Sequence, residues 1–300
     1  MRIIPPNVEW WPQDTTSKHI ARVGRICYKS QGKRPPKEIY DETVIKDWET
    51  HRDQDRCKSF WESGHRSMYR HGTVYFYVSD DRRLPNQLWA LLTTSPYIDY
   101  VAQGNKVWIS TNMQFLCEHG NIRKLLDVFC VEEEEFIRRA VKAKCNEALY
   151  LLRMTFVVTT QISTSRELNR TSPNCIAEQS TRYCNLEKKG GVMVAEPYWL
   201  RSEGTRWQRG LFKAACRISE WFYHRLLKSG MKPQDARGVL PLDTYTVAAY
   251  TYSIAEWSHI IDLRYHGITG KPHPNAEIIG GMIHDQITER MKQYISDFKI

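Results

Sequence analysis

The sequence predicts an α+β fold in one mixed domain that spans residues 1–300. Predicted strands are mixed with helices without the strict β-α-β alternation of a doubly wound fold. No internal repeat is visible, and no Pro/Gly/Ser-rich linker is long enough to separate two domains. With 300 residues, of which 41% are hydrophobic, the chain can bury a sizeable core.

The spacing of apolar residues predicts the elements of the first half. Helical spacing covers 17–28 and 38–63, and Gly64 ends the second of these helices. The run HGTVYFYVS at 71–79 is rich in β-branched and aromatic residues, which predicts a strand. Two similar runs predict further strands, at 105–110 and 153–160.

The rest of the chain is predicted to be mostly helical. Residues 120–150 have the pattern of one long amphipathic helix, and its apolar side would carry Leu125, Leu126, Phe129, Phe136 and Ala140. Later helices are predicted at 205–229, 234–237, 253–264 and 275–298.

The charge of the chain predicts an anionic partner. Lys and Arg number 43 against 34 Asp and Glu, a formal net charge of +9. Nucleic acid and phosphorylated small molecules would both explain this excess. The basic residues are dispersed, which favours discrete anion pockets over a polybasic arm. No apolar stretch reaches the ~18 to 20 residues of a membrane span, and Pro5-Pro6 interrupts any signal-peptide core, so a cytoplasmic protein is expected.

Cysteine and histidine spacing gives no metal signature. The eight cysteines never approach C-x-x-C spacing, so they are expected to be reduced thiols. There is no H-E-x-x-H motif. His259, His266 and His273 are spaced by seven, but glycines and a proline interrupt any helix that would align them. We therefore expect no metal site.

The segment from Ser163 to Asn185 is the richest in functional side chains. A Ser/Thr cluster can begin a short helix that places Glu167 and Arg170 on one face. The following E-Q-S-T-R-Y offers a carboxylate, an amide, a hydroxyl and a guanidinium. Ser180 with Arg182 would make a phosphate clamp. Spacing alone also fits an ordinary helix-to-loop corner with solvated polar residues.

This segment resembles the flavin-dependent thymidylate synthases. Many members read S-H-E-L-V-R-H-R-x-x-S-x-x-Q-E-S-T-R-Y-C-N, and this chain reads S-R-E-L-N-R-T-S-P-N-C-I-A-E-Q-S-T-R-Y-C-N without a gap. Four other stretches resemble family motifs in the same order. They are G-R-I-C-Y-K-S from Gly24, G-H-R-S-M-Y-R-H-G-T from Gly64, A-R-G-V-L-P from Ala236 and W-S-H-I-I-D-L-R from Trp257.

The resemblance implies a fold, a reaction and an assembly. The fold would have a central antiparallel or mixed sheet flanked by helices. The reaction would be reductive methylation of dUMP at uracil C5, which gives dTMP, with FAD, NADPH and 5,10-methylenetetrahydrofolate. Members are homotetramers whose active sites combine residues from several subunits, so a homotetramer is expected and nucleic acid is not an expected partner. No cysteine of the enzyme attacks the base in this family.

The resemblance also assigns residues. Arg264 would be catalytic, by stabilising negative charge that develops on a pyrimidine carbonyl. The nucleotide would be held by Glu167, Arg170, Gln179, Ser180, Thr181, Arg182, Arg237 and Arg264. The flavin would contact His65, Ser67, Arg170, Glu178 and His259.

The departures from the family pattern fall on the flavin side. Thr171 and Ser172 replace the His and Arg of an R-H-R triplet. Arg70 stands where Glu is usual, and Ser253 and Ala255 replace an Asn and an Arg commonly used on flavin. Insertions relative to the usual family member are expected near 80–104 and 197–215.

Two alternatives to dUMP methylation remain at this point. The first is a paralogue that methylates UMP or hydroxymethylates C5 of a pyrimidine nucleotide. The second is a protein that has lost catalysis and binds nucleotides or single-stranded nucleic acid, which 10 Trp and 16 Tyr could stack.

Overall fold

A computed structural model describes residues 1–30, 42–81, 84–171, 175–182, 184–187 and 190–300, with side chains except at 42–48. The strands in these ranges are β1 (Arg2–Ile4), β2 (Asn7–Trp11), β3 (Thr73–Val78), β4 (Ile98–Gln103), β5 (Lys106–Asn112), β6 (Cys130–Val131), β7 (Arg153–Gln161), β8 (Ile176–Glu178), β9 (Met193–Ala195) and β10 (Tyr245–Ser253).

Helices surround these strands. They are α1 (Thr16–Cys27), α2 (Glu42–Glu62), α3 (Asn86–Thr94), α4 (Met113–Glu118), α5 (Gly120–Leu126), α6 (Glu133–Ala143), α7 (Asn146–Leu149), α8 (Ile162–Asn169), α9 (Tyr198–Arg201), α10 (Arg206–Lys228), α11 (Pro233–Ala236), α12 (Ile254–Ile261) and α13 (Pro274–Met291). Short 3₁₀ helices cover Arg66–His71, Asp127–Phe129 and Arg237–Val239, and a π-helix covers Asp262–His266.

Two antiparallel four-stranded sheets form the framework. The first has the order β2-β7-β10-β8 and the second the order β4-β5-β3-β6, while β1 and β9 form a small parallel pair. The largest apolar cluster joins β7 and β10 to α6, α7, α12 and α13. A second cluster packs α3, α4 and α5 against the second sheet. The α+β prediction is confirmed.

The strands β7 and β10 determine where the functional side chains lie. They pair antiparallel along their whole length, from Tyr245 opposite Gln161 to Ser253 opposite Arg153. α8 begins directly after β7, and α12 begins directly after β10. Because the strands run in opposite directions, these two helices start at opposite ends of the same ladder.

Several predicted elements are confirmed by the structure. The helices expected at 17–28 and 205–229 are α1 and α10, and the strands expected at 105–110 and 153–160 are β5 and β7. α2 ends before Gly64, whose φ of +81° suits a residue without a side chain. Residues 38–41 of that predicted helix lie outside the described residues.

The prediction of one long helix over 120–150 is wrong. α5 stops at Leu126, and Cys130 and Val131 pair with β3 as β6. Phe129, Cys130 and Val131 favour extended structure, and an available edge of β3 overrides the helical spacing. α6 ends at Ala143, and the next residue, Lys144, has a φ of +53°. Leu125 is 43% exposed, so it does not share the buried side of Leu126, Phe136 and Ala140.

Other differences are smaller. The strand predicted at 71–79 starts at Thr73, because the preceding residues form the 3₁₀ helix Arg66–His71. The helix predicted at 253–264 becomes π-helical after Ile261, and the one predicted at 275–298 ends at Met291. The central strand β10 was not predicted.

Candidate active site

A cleft of about 570 Å³ opens at the end of the ladder where α8 begins. One wall is α8, from which Ile162 and Arg166 reach the cleft, and the floor includes Thr246 of β10. The segment that follows β8 and the loop that follows α11 complete it, through Glu178, Gln179, Ser180, Thr181, Arg182, Arg237, Gly238, Leu240, Pro241 and Leu242. The structure thus brings the E-Q-S-T-R residues together with Arg237.

Backbone hydrogen bonds fix the walls of this cleft. The N–H of Ile162 donates to the carbonyl of Thr244 at 3.0 Å, which ties the start of α8 to the loop before β10. The Gln179 N–H donates to the Val247 carbonyl at 2.8 Å, and the Ser180 N–H to the Cys27 carbonyl at 2.9 Å. The polar segment is therefore held between β10 and the end of α1.

The cleft is electropositive. Among the described lining residues, three guanidinium groups, from Arg166, Arg182 and Arg237, accompany one carboxylate, that of Glu178. The Arg237 side chain donates to the hydroxyl of Thr181, which links the two loops. Three arginines beside hydroxyl groups are the donor set that phosphate oxygens prefer.

Glu178 is held inside the cleft rather than left mobile. Its Oε1 accepts hydrogen bonds from the hydroxyls of Ser165, at 2.8 Å, and Thr246, at 2.9 Å. The resemblance assigned this residue to the flavin, but within this chain it lies with the nucleotide residues.

Arg264 and Glu167 form a separate pair beside α8. The Arg264 Nε donates to the Glu167 carbonyl at 3.0 Å, and its Nη2 lies 3.4 Å from Glu167 Oε2. Neither residue lines the cleft. Arg170 caps the C-terminus of α8 and is exposed. Within one chain, therefore, the cleft that holds Arg182 and Arg237 does not include Glu167, Arg170 or Arg264, which were expected to contact the nucleotide.

A second cavity, of about 350 Å³, lies at the opposite end of β10. We call it the His259 pocket, and its lining is Asp99, Leu151, Thr171, Ser253, Ala255, Glu256 and His259. Burial and the nearby Glu256 raise the pKa of Asp99, although Arg153 opposes the shift. Four of the lining residues belong to the flavin-side positions that the sequence singled out, namely Thr171, Ser253, Ala255 and His259. Ser172 lies outside the described residues.

The two cavities are far apart within the chain. Thr246 lines the cleft and Ser253 lines the His259 pocket, seven residues along one strand. At a rise of about 3.4 Å per residue these positions are about 24 Å apart. His65 and Ser67 are exposed at the start of the 3₁₀ helix before β3, and they line neither cavity.

Cys175 has no means of activation. It is buried, and its Sγ lies 3.6 Å from His71 Nδ1. Burial raises the pKa of the thiol to about 12, while burial and the nearby cations lower the pKa of His71 well below its usual value. A protonated thiol beside a neutral imidazole is a poor nucleophile.

The family model described as "Thymidylate synthase complementing protein" matches residues 100–291, nearly two thirds of the chain. The chain belongs to this family. The match covers every cleft residue and all of the His259 pocket except Asp99, which lies one residue before it. Membership supports a nucleotide-methylating enzyme of the thymidylate synthase kind, in a family that is flavin-dependent in general.

Two solved structures are similar to the chain. A UMP/dUMP methylase PolB from Streptomyces cacaoi, bound with 5-Br dUMP, is 16% identical over 96% of this chain and 93% of that one, with a TM-score of 0.44. A second structure of PolB, bound with 5-Br UMP, is 25% identical over 53% of this chain and 76% of that one, with a TM-score of 0.40. No curated protein sequence matches the chain.

The two cavities differ in how well they fit the family's ligands. The arginines and hydroxyls of the cleft fit a nucleotide phosphate. The His259 pocket presents the carboxylates of Asp99 and Glu256, with no Lys or Arg among its described lining residues. This donor set does not fit the diphosphate of FAD.

The described ranges lack two further features. No group of three or more His, Cys, Asp or Glu side chains there is arranged to hold a metal ion. No helix there has the length and apolar character needed to cross a membrane.

Proposed function

We propose that the protein transfers a one-carbon unit to C5 of the uracil ring of dUMP, and so forms dTMP. One observation carries this proposal: the family's E-Q-S-T-R segment and Arg237 line one electropositive cleft of nucleotide size. The arginines of the cleft support a substrate that carries a phosphate group, and family membership supports a pyrimidine nucleotide.

The residues of the cleft would bind and orient the substrate. Arg182, Arg237 and Ser180 would hold the phosphate through charge-assisted hydrogen bonds. Gln179 and Glu178 are the candidates for the polar edge of the nucleoside, because the Glu178 carboxylate is fixed by side-chain hydrogen bonds and the Gln179 backbone is tied to β10. Correct placement of C5 is a large part of catalysis when the reacting carbon needs no enzyme nucleophile.

Arg264 would stabilise negative charge on a pyrimidine carbonyl. Its hydrogen bond to the Glu167 carbonyl orients the guanidinium before substrate binds. One preorganised donor of this kind is typically worth about 3 to 4 kcal/mol in the transition state. The cofactors that the resemblance implies are FAD, NADPH and methylenetetrahydrofolate, which would supply the hydride and the carbon unit.

The distance between the cavities favours a homotetrameric enzyme. In such an enzyme, residues at the His259 end of β10, which lie about 24 Å along the strand from the cleft of their own chain, would contact the nucleotide of another subunit. Arg264 and Arg170 would then complete a cleft across an interface, as the resemblance implies.

α10 offers a surface for such an assembly. Its outer side exposes a stripe at heptad-like spacing, in which Trp207 is 73%, Ile218 57% and Trp221 53% exposed. In an antiparallel pairing centred on Cys216, Ala214 would oppose Ile218 of the second copy. The same register sets Gly210 against Phe222 and Trp207 against Arg225, which gives small-to-large packing and a cation–π contact. In the part of the chain that the structure describes, no atom lies within 4 Å of the position that a side chain at Gly210 would take.

Mass spectrometry of the products tests the proposed reaction. The protein is incubated with dUMP or UMP, together with FAD, NADPH and methylenetetrahydrofolate. A 5-methyl product from dUMP is expected. A hydroxymethyl product, or turnover of UMP alone, would replace the proposed reaction by its paralogue form. Absence of any product, together with salt-sensitive binding of single-stranded nucleic acid, would overturn the proposal.

A further inference from the structure

One carboxylate of the His259 pocket comes from a distant strand. Asp99 belongs to β4, within the stretch 80–104 where the sequence predicts an insertion. β4 is an edge strand of the second sheet, and Asp99 lies opposite Ser110 of β5. This register is fixed by the strand pairing, so Asp99 is held at the pocket wall by the sheet.

The second carboxylate is fixed as well. Glu256 forms a capping box with Ser253 at the start of α12: the Ser253 N–H donates to Glu256 Oε2 at 2.8 Å, and the Glu256 N–H donates to Ser253 Oγ at 3.2 Å. These bonds hold the carboxylate at the pocket and occupy the Ser253 hydroxyl.

One buried cation, Arg153, offsets part of the negative charge of the two carboxylates but does not reach the pocket surface. Arg153 Nη1 lies 3.8 Å from Glu256 Oε2, behind the pocket lining. Its Nη2 donates to the carbonyls of Arg70 and Thr251, at 3.4 and 3.2 Å. The Arg153 side chain is 8% exposed, so it is not available to a phosphate in the pocket.

We propose that this pocket repels the diphosphate of FAD, so that the flavin of this protein is a dissociable ligand that exchanges with solution. This inference rests on the proposed function, which supplies the reason to expect FAD at all. The cause is electrostatic: an anionic diphosphate would face Asp99 and Glu256 at partly buried positions, where like charges interact more strongly than in water. Ala255, which stands where the resemblance implies an arginine, adds no cation to the described lining of the pocket, and the single buried Arg153 offsets only one of the two carboxylates.

The test measures flavin affinity without turnover. FAD is titrated into the purified full-length protein while flavin fluorescence is followed. Riboflavin, which lacks phosphate, is titrated in parallel. The wild-type protein should lose FAD on gel filtration. Asp99→Asn and Ala255→Arg should each tighten FAD at least tenfold and leave riboflavin affinity within about twofold.

The variants are chosen so that folding does not decide the result. Ala255 is exposed in the first turn of α12, where an arginine side chain can reach solvent, and Asp99→Asn preserves shape. The matched control is Asp127→Asn, which removes an exposed carboxylate remote from the pocket and should change neither affinity.

Each outcome separates the inference from the proposed function. Retention of stoichiometric FAD by the wild-type protein, or unchanged FAD affinity in both variants, overturns the inference. An equal gain for riboflavin also overturns it, because the gain would then not involve the diphosphate. Absence of product at saturating FAD overturns the proposed function and leaves the affinity result standing.

Discussion

Replacement of Arg237 by alanine should weaken nucleotide binding through the phosphate alone. The Arg237 guanidinium lines the cleft and donates to the Thr181 hydroxyl, so it is positioned before the ligand arrives. A hydrogen bond to a charged group contributes about 1.5 to 3 kcal/mol. Its loss should raise the Kd for dUMP by about 10- to 150-fold.

Isothermal titration calorimetry with two ligands isolates this effect. dUMP and deoxyuridine differ only by the phosphate, so deoxyuridine should bind the wild-type protein and Arg237→Ala equally well. Arg138→Ala is the matched control, because it removes an equal charge from an exposed position on α6, where Arg138 pairs with Glu135. Arg237→Lys should retain part of the affinity.

Two results would refute the reasoning. Equal weakening of dUMP and deoxyuridine would mean that Arg237 shapes the loop rather than contacts the phosphate. Unchanged dUMP affinity would remove Arg237 from the nucleotide site, and would leave Arg166 and Arg182 as the arginines to test in the cleft.

Three further predictions concern catalysis, assembly and acid stability. Arg264→Ala should lower turnover about 10²- to 10³-fold with an unchanged circular dichroism spectrum, and unchanged turnover would exclude its catalytic role. Ile218→Asp should lower the mass of the assembly measured by light scattering, whereas Lys213→Asp, on the side of the stripe, should not. An Ile218→Asp assembly with the mass of the wild-type assembly would exclude α10 as the contact. Burial lowers the pKa of His19 to about 3, so below pH 6.5 the unfolded chain binds a proton at this residue that the folded chain does not. The free energy of unfolding should therefore fall as the pH falls from 6.5 to 3, by up to ~1.4 kcal/mol per pH unit. Urea unfolding at pH 7 and 5 measures this slope, and an equal slope in His19→Gln would assign it to other groups.

The sequence predicts local groupings better than distant ones. Gln179 to Arg182 are adjacent in the chain, so any conformation that orders them keeps them together. Arg166 was missed as a cleft residue, although it lies four residues after Ile162 and so on the same face of α8. A helical wheel of α8 that begins at Ile162 would have placed Arg166 on the same side as Ile162.

The separation of the two cavities could not be predicted, because it depends on β10. Residues 245–253 were not predicted as a strand, so Arg237 and His259 had no expected distance between them. No pattern in the sequence indicated that Asp99 belongs to the His259 pocket. It reaches the His259 pocket through the register of β4 on β5, and sequence patterns do not fix pairing between strands that are remote from the site.

The motif resemblance predicted the family, and the family model confirms it. The mixture of predicted strands and helices without strict β-α-β alternation predicted the fold class. The sequence did not predict the structure of segments that can form either a helix or a strand. At 130–131 the apolar spacing predicted a helix, but pairing with β3 makes these residues a strand.

Release of tritium from dUMP labelled at C5 tests the central claim most directly, because substitution at C5 must expel that hydrogen whichever one-carbon group is added. With FAD and NADPH present, release should require methylenetetrahydrofolate and should fall in Arg264→Ala. Failure of the wild-type protein to release tritium above the rate without enzyme would contradict one-carbon transfer to uracil C5.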